Sequence, residues 1–395
     1  MRSEAIGPLP PEAHAAALAS LPGMGPARLS SLLAHQPAGE AWGRVVRGDA
    51  TADPAVARAC RPDPTGLARV WRRAAGSVDV EGAWSGYARA GVTVALPGSG
   101  AYPAVLRDDH EAPAVLFVRG DPAALVARRV AIVGTRQCTR YGTDVARELG
   151  RDLAAAGVAV VSGLALGIDG AAHAGALAAP GGAPPVAVVG SGLDVVYPRK
   201  HGSLWGAIAE RGLLLSEAPL GARPEPWRFP VRNRVLAALA EVVVVVESHA
   251  RGGSLHSVDA ALARDRPVMA VPGSVRSPAS ALPNNLLAEG CAPVRDALDV
   301  LVALGLSVAG SGKEGGSGDD RRGAAAALGT LDPDARAALD ALGWEPATLD
   351  EVVSGSGLGP GPASLALARL ERDGWVSTDG AWWARVAGDA SANGR

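Results

Sequence analysis

The sequence predicts an α/β fold built on a doubly wound, mainly parallel sheet. A small helical domain precedes it and a winged-helix-like domain follows. Three observations carry this reading. Short apolar runs between residues 129 and 273 are continuous rather than alternating, the pattern of strands buried on both faces. Ala-rich helical segments such as "GTDVARELGRDLAAAG" and "GIDGAAHAGALAA" separate them, so strand and helix alternate as a parallel sheet requires. A Gly/Ser/charged stretch, "SVAGSGKEGGSGDDRRGAAAA", then has nothing to bury and divides this zone from a tail whose periodicity resumes.

Taken in order, residues 1–75 form the helical domain, with Ala- and Leu-rich segments broken by Gly-Pro pairs. Within it, "LASLPGMGPARLSSLLA" has the form of a helix-hairpin-helix (SAM-like) unit, a Gly-x-Gly-Pro turn between two short apolar helices. Such a turn either offers backbone N–H groups to a DNA phosphate or simply packs the hairpin. Residues 76–305 hold the sheet, with strands expected at "RVAIVG" (129–134), "VAVVSG" (158–163), "PVAVVG" (185–190), "LLLSE" (213–217), "VVVVVES" (242–248) and "PVMAVPG" (267–273). Their order across the sheet is not readable. Residues 306–327 form the linker, and "GSGKE" inside it lacks the upstream glycine and lead-in strand of a phosphate loop. Residues 328–388 read as three helices and a β-hairpin, in which Trp382-Trp383 packs the wing. The third helix mixes Arg369 and Arg372 with Glu371 and Asp373, a poor phosphate-binding face.

Bulk properties bound the function. At 395 residues the chain needs two or three domains, and its 48% apolar share is that of a globular protein. A net charge of -2 gives no whole-chain bias towards nucleic acid. Lysine occurs only at Lys200 and Lys313, so an anion site here is an arginine site, suited to bidentate phosphate contacts. Cys60, Cys138 and Cys291 form no CxxC pair, which argues against a disulfide framework or structural zinc. No metal or cofactor is expected. With no signal-peptide core and no apolar run of about 18 residues, a cytoplasmic protein without a membrane partner is expected.

In doubly wound sheets ligands bind beyond the carboxyl ends of the strands. After the first predicted strand come Gly134, Thr135 and Arg136, then Arg140; after the second, Gly163, Gly167 and Gly170. Gly190 follows the third strand, with Arg199, Lys200 and His201 further on. A proline-rich loop after the fourth ends in Phe229, Arg232, Asn233 and Arg234, and the fifth is followed by Arg251, Gly252 and Gly253. Glycine and arginine recurring along one sheet edge point to a phosphate-bearing ligand, a nucleotide or a nucleic-acid strand. Phe229, Trp227 and Tyr197 either stack on its bases or cover the sheet edge. The triplet Arg232-Asn233-Arg234 falls where a helix should start, the end that disfavours cations, so an anion is expected there with Asn233 capping the turn.

Catalytic candidates are sparse. Asp169 and His173 share a helix face but are too few for a metal, and Asp169 serves equally as a cap. Glu217 and Glu247 end strands and act as bases or, better, orient nearby arginines.

"VAIVGTR", "VVSGLALGIDGAAHAGAL", "GSGLDVVYP", "LLSEAPLG", "FPVRNRVLAALAEVVVVVES" and "VMAVPG…NNLLAEGC" follow the order and spacing of the DNA-processing protein A (DprA/Smf) family, and "GAYPAVLRDDHEAPAVLFVRGD" resembles its lead-in. The resemblance covers roughly residues 78–300. It implies an extended Rossmann-like domain that binds single-stranded DNA, usually as a homodimer, and loads the RecA recombinase in natural transformation, without catalysis. Position by position, it places DNA contacts at Arg136, at Arg199 or Lys200, and at Phe229, Arg232, Asn233 and Arg234. The sequence departs from the family at "RGGSLHSVDAAL", where Gly252 replaces a common Ser and Ser257-Val258 a Thr-Ala pair. The alternative is a Rossmann-like enzyme hydrolysing nucleoside monophosphates. Its Pro-Gly-Gly-x-Gly-Thr-x-x-Glu motif is not matched at residues 251–259, where the second Gly-Thr and the Glu are missing.

Overall fold

The computed structural model describes residues 9–306, 331–342, 347–373, 375–379 and 382–385. By contacts the chain divides into two units, Met1–Ser307 and Val308–Arg395.

In the first unit the strands are β1 (Thr93–Ala95), β2 (Leu116–Gly120), β3 (Arg128–Val133), β4 (Val158–Ser162), β5 (Val186–Val189), β6 (Leu213–Ser216), β7 (Val242–Val245), β8 (Val268–Ala270) and β9 (Ala292–Pro293). They form one sheet in the order β1-β2-β6-β5-β4-β3-β7-β8-β9. All neighbours from β6 to β9 along that order are parallel, while β2 runs antiparallel to β6 and to β1. Each of the six expected runs is a strand. Of the three unforeseen strands, β1 and β9 are edge strands of two or three residues, while β2 lies one strand in and carries the buried apolar run Leu116–Val118 before Arg119 and Gly120.

The continuous runs arise because both faces are covered. Val130 and Ile132 of β3 share a core with α7 (Arg140–Ala155) and α8 (Ile168–Ala178). The intervening Ala131 and Val133 face α10 (Arg228–Leu239), α11 (Leu255–Leu262) and α12 (Ala281–Ala288). Successive strand residues point to opposite faces, so each face needs its own apolar set.

The N-terminal helices α1 (Pro11–Ala19), α2 (Pro26–Leu33), α3 (Ala38–Arg47), α4 (Pro54–Ala59), α5 (Pro64–Ala75) and α6 (Val80–Arg89) bury Leu18, Leu32 and Trp71. Those residues are continuous with Phe117, Val189 and Leu214 of the sheet and with Trp205 of α9 (Gly202–Arg211). The hairpin turn between α1 and α2 is held from within, since Trp71 Nε1 donates to Pro22 O at 3.0 Å. The last helix of the unit is α13 (Ala297–Ala303).

One local expectation is corrected. The helix expected to start at the Arg-Asn-Arg triplet begins a turn earlier, at Arg228. Pro230 lies in its first turn, where a missing N–H removes no intrahelical bond. Arg232 and Arg234 are therefore mid-helix, Asn233 caps no turn, and only Arg228 occupies the positive end, where Glu225 pairs with it at 3.0 Å. The triplet breaks no helix rule.

In the second unit, helices Pro333–Leu342, Leu349–Ser356 and Pro360–Arg372 pack around Leu339, Leu367 and Leu370. A three-stranded antiparallel sheet completes a winged helix, with Trp382–Arg385 between Ala347–Thr348 and Val376–Asp379. Thr348 and Glu351 form a capping box at the second helix. Trp383 packs on this core while Trp382 is half exposed. Arg369 pairs with Asp332 at 3.2 Å and Arg372 with Asp373 at 2.9 Å, so the third helix spends its cations on carboxylates. Apart from Leu306, the expected linker and its "GSGKE" lie outside the described residues. Among the described residues, no helix is long and apolar enough to cross a membrane.

Candidate nucleic-acid interface

Six of the parallel strands, in the spatial order β5-β4-β3-β7-β8-β9, reproduce the strand order of a dinucleotide-binding doubly wound sheet, with β6 added outside β5. The direction of winding reverses between β3 and β7, and the loops leaving those two strands part there. A cleft of about 700 Å³ opens at that point. Its walls come from Gly134–Gln137 after β3, from Ser248, His249, Gly252 and Gly253 after β7, and from Tyr197, Phe229 and Asn233.

The mouth combines a cation with aromatic rings. The Arg136 guanidinium carbon lies 4.7 Å from the Phe229 ring centroid, and Phe229 lies 5.5 Å from Tyr197 at an interplanar angle of 37°. Arg136 is exposed and makes no ion pair among the described residues, so its charge is open to a ligand. Phe229 is seated over Gly190, where an added Cβ would stand 3.3 Å from the ring. Asn233 reaches across to Gly253 O at 3.4 Å.

Arg232 builds the floor. It is only 7% exposed, and its Nη1 donates to Val188 O and to Gly163 O, the latter at 2.6 Å, tying the carboxyl ends of β4 and β5 together. Its Nε donates to Asn233 Oδ1 at 3.1 Å, and Nη2 is 3.7 Å from Asp169 Oδ2. Asp169 in turn accepts from the backbone N–H groups of Gly163 (3.1 Å) and Ala165 (3.4 Å). Gly163 is required to be glycine by this close approach, since a Cβ there would overlap the guanidinium. Burial lowers the Arg232 pKa to about 10 and raises that of Asp169, each against the attraction of the other. Most of the donors of Arg232 are spent on the protein, which differs from the open anion-binding arginine expected from the sequence.

The two strand-ending glutamates divide. Glu217 pairs with Arg234, which also donates to Glu111 O, and this pair sits on the other side of α10 from the cleft. Burial pushes the Glu217 carboxyl up to about 7, with Arg234 opposing the rise. Among the described residues Glu247 pairs with no arginine. Its carboxylate accepts from Thr139 N (2.8 Å) and Thr139 Oγ1 (2.7 Å), so the end of β7 grips the start of α7 and the loop carrying Arg136.

The cleft thus gathers Arg136, Phe229, Arg232, Asn233, Gly252 and Gly253, with Gly163 immediately behind its floor and Gly190 beneath Phe229. Arg140 begins α7 on the surface and is 3.8 Å from Asp144. Arg199 and Lys200 are exposed on a short helical turn, and Lys200 faces a second groove. Trp227 lies against Gly25 of the N-terminal hairpin, away from the cleft. Arg251 does not line it, whereas His249 and His256, on the same Gly-rich loop, do. Sequence reasoning passed over these two histidines because it weighed only the arginine and glycines of "HARGGSLH".

Asp169 is the sole carboxylate among the described lining residues, and it is held by two N–H groups and an arginine. His173 behind it is fully buried, its Nε2 3.2 Å from Val186 O, and burial lowers its pKa to about 4. Among the described residues no three His, Cys, Asp or Glu side chains group as a metal site. The arrangement suits holding an anion beside an aromatic surface.

Known proteins resemble this chain over much of its length. The family model described as DNA recombination-mediator protein A matches residues 93–305, and that of the DprA winged helix domain matches residues 322–380. A DprA relative of Mycobacterium tuberculosis is 43% identical over 291 residues, covering 71% of this chain and 72% of its own. The DNA processing protein DprA of Bacillus subtilis is 37% identical over 219 residues, covering 55% of this chain and 73% of its own. The X-ray structure of DNA processing protein A from Streptococcus pneumoniae overlays with a TM-score of 0.59 at 28% identity, over 74% of this chain and 98% of that one. With more than half of its 395 residues matched by the first of these models, the chain belongs to the DNA recombination-mediator protein A family.

Proposed function

We propose that this protein binds single-stranded DNA in the cleft at the β3/β7 switch point, holding phosphate at Arg136 and stacking bases on Phe229 and Tyr197, without catalysis. The observation that carries the reading is the exposed Arg136 guanidinium, poised over Phe229 with no carboxylate at ion-pair distance among the described residues. A cation beside stackable rings is what an unpaired strand needs, because its bases are free to leave one another for an aromatic face. Gly252 and Gly253 let the β7 loop approach a backbone closely. Through the family, the reading extends to protecting incoming DNA and handing it to the RecA recombinase during transformation, with the protein acting as a homodimer in the cytoplasm. Nucleoside monophosphate hydrolysis is the weaker reading, since the one carboxylate among the described residues lining the cleft is already committed to protein donors.

The test is fluorescence anisotropy with a labelled oligothymidylate and the matching duplex, in chelator and without nucleotide. Tighter binding of the single strand under those conditions is the expected result. Preference for the duplex, or release of free base from a nucleoside monophosphate, would overturn the reading.

A further inference from the structure

A second groove lies beyond the cleft, between α7, α8 and α9, with a volume of about 690 Å³. Its rim carries Arg147 of α7, Arg211 at the end of α9, and Lys200 and His201 from the turn before α9. Among the described residues no carboxylate lines it, although the chain as a whole has a net charge of -2. Arg147 and Lys200 are exposed and make no ion pair among the described residues. Arg211 is also exposed, with Nη1 3.4 Å from Leu177 O. The groove floor is small and apolar, including Ala174 and Ala207, and among the described residues no Phe, Tyr or Trp lines it.

Groove and cleft are joined. Gly167 lines the groove at the start of α8, with a φ of +79°. A Cβ on it would overlap Thr135 O and come within 2.9 Å of the Arg136 carbonyl carbon, so the loop that carries Arg136 rests directly on the groove's rim. On the other wall, Tyr197 faces the cleft and Lys200, three residues on, faces the groove.

From this juxtaposition we infer that the groove between α7, α8 and α9 is a second, backbone-tracking segment of the strand path, which takes the phosphates of single-stranded DNA leaving the cleft past Gly167. The inference rests on the cleft being the strand-binding site. Its chemistry differs from the cleft's. Cations without a Phe, Tyr or Trp face hold the sugar-phosphate chain irrespective of base, whereas the cleft supplies stacking on Phe229 and Tyr197. The groove therefore lengthens the footprint and adds to the salt dependence without adding sequence preference.

The test compares oligothymidylates of about 4 and about 16 nucleotides, the range of site sizes for single-strand binders. Full-length protein and its Arg147→Ala/Arg211→Ala variant are titrated from about 50 to about 200 mM salt. Each lost phosphate contact removes about 0.7 from the slope of log affinity against log salt, so the long oligonucleotide should lose about 1.4 of slope, an affinity change reduced by about 7-fold over that range. The short one should be unaffected. Arg147→Lys/Arg211→Lys should restore the slope, because counterion release follows charge. Equal weakening at both lengths would overturn the inference by making the groove part of the cleft's own site. An unchanged slope on the long oligonucleotide, with Arg136→Ala still weakening both, would also overturn it and leave the basic rim to an acidic protein partner. If Arg136→Ala and the groove variant both leave both lengths unchanged, it is the cleft reading that fails.

Discussion

Replacing Arg232 with alanine should cost folding stability before it costs anything else. The side chain is 7% exposed and supplies hydrogen bonds to Gly163 O and Val188 O, two carbonyls at the ends of adjacent strands. It also faces Asp169, itself 6% exposed, across 3.7 Å. Removing one member of a buried charged pair costs about 3–5 kcal/mol, because the remaining charge loses its partner while staying out of water. The two orphaned carbonyls act in the same direction but share the same guanidinium, so the penalties do not add fully. At about 2.1 cal/mol/K of unfolding entropy per residue, a unit spanning Met1–Ser307 shifts by about 1.6 °C for each kcal/mol, giving a loss of about 5–8 °C.

The sign with pH follows from Asp169. Burial already raises its pKa, and loss of the cation raises it further, so the variant's penalty applies only where the native carboxyl is forced to ionise. The deficit should therefore be largest near neutrality and shrink as the pH falls and Asp169 takes up a proton. Adding Asp169→Asn should recover part of it. Thermal melts of the wild type, both single variants and the double variant at two pH values check this. An Arg232→Ala protein that melts with the wild type yet binds DNA weakly would refute the reasoning and return Arg232 to direct phosphate contact.

Phe229→Ala should weaken single-strand binding by about 1–3 kcal/mol, the worth of one base–aromatic stack, with a similar loss for oligonucleotides of different base composition; anisotropy titrations report it. Glu217, raised from 4.5 to about 7, keeps a proton in the native state that the unfolded chain releases across that window. Stability should thus fall as the pH rises from about 4.5 to about 7, and Glu217→Gln, which mimics the protonated acid, should gain about 2–4 kcal/mol on the wild type over the same range in urea unfolding. His173 acts with the opposite sign. Held neutral with a pKa lowered to about 4, it contributes stability that is lost as the pH falls from 6.5. It is present in both proteins, so the difference between wild type and Glu217→Gln isolates the glutamate.

Much of the sheet was legible because burial on both faces writes itself into the chain as uninterrupted β-branched runs. β7 is four consecutive valines, all buried, and no helix or loop explains that pattern as simply. β1 and β9 escaped because they are edge strands of two or three residues, whereas β2 lies one strand in and its apolar Leu116–Val118 run reads in the sequence only as part of the lead-in segment. The place of the candidate cleft was legible too, since the loops beyond the strand ends meet there, and Arg136 and Phe229 come together in it. What side chains do at that address was less so. Sequence places Arg232 and Arg234 beside Asn233, but a helix turns each successive residue by about 100°, sending Arg232 beneath the cleft floor and Arg234 to Glu217 on the far side. Glu247 is similar: its partner Thr139 is 108 residues away, a distance that no local pattern spans.

The measurement that bears most directly on the account is the salt dependence of oligothymidylate binding by the full-length protein and by Arg136→Ala. Arg136 is exposed and without an ion pair among the described residues, so its loss should leave the melting temperature unchanged. Binding should weaken, and the slope of log affinity against log salt should fall by about 0.7, one phosphate contact. An Arg136→Ala protein with the wild-type affinity and the wild-type slope would contradict the account, because the open cation at the mouth of the cleft would then hold no strand.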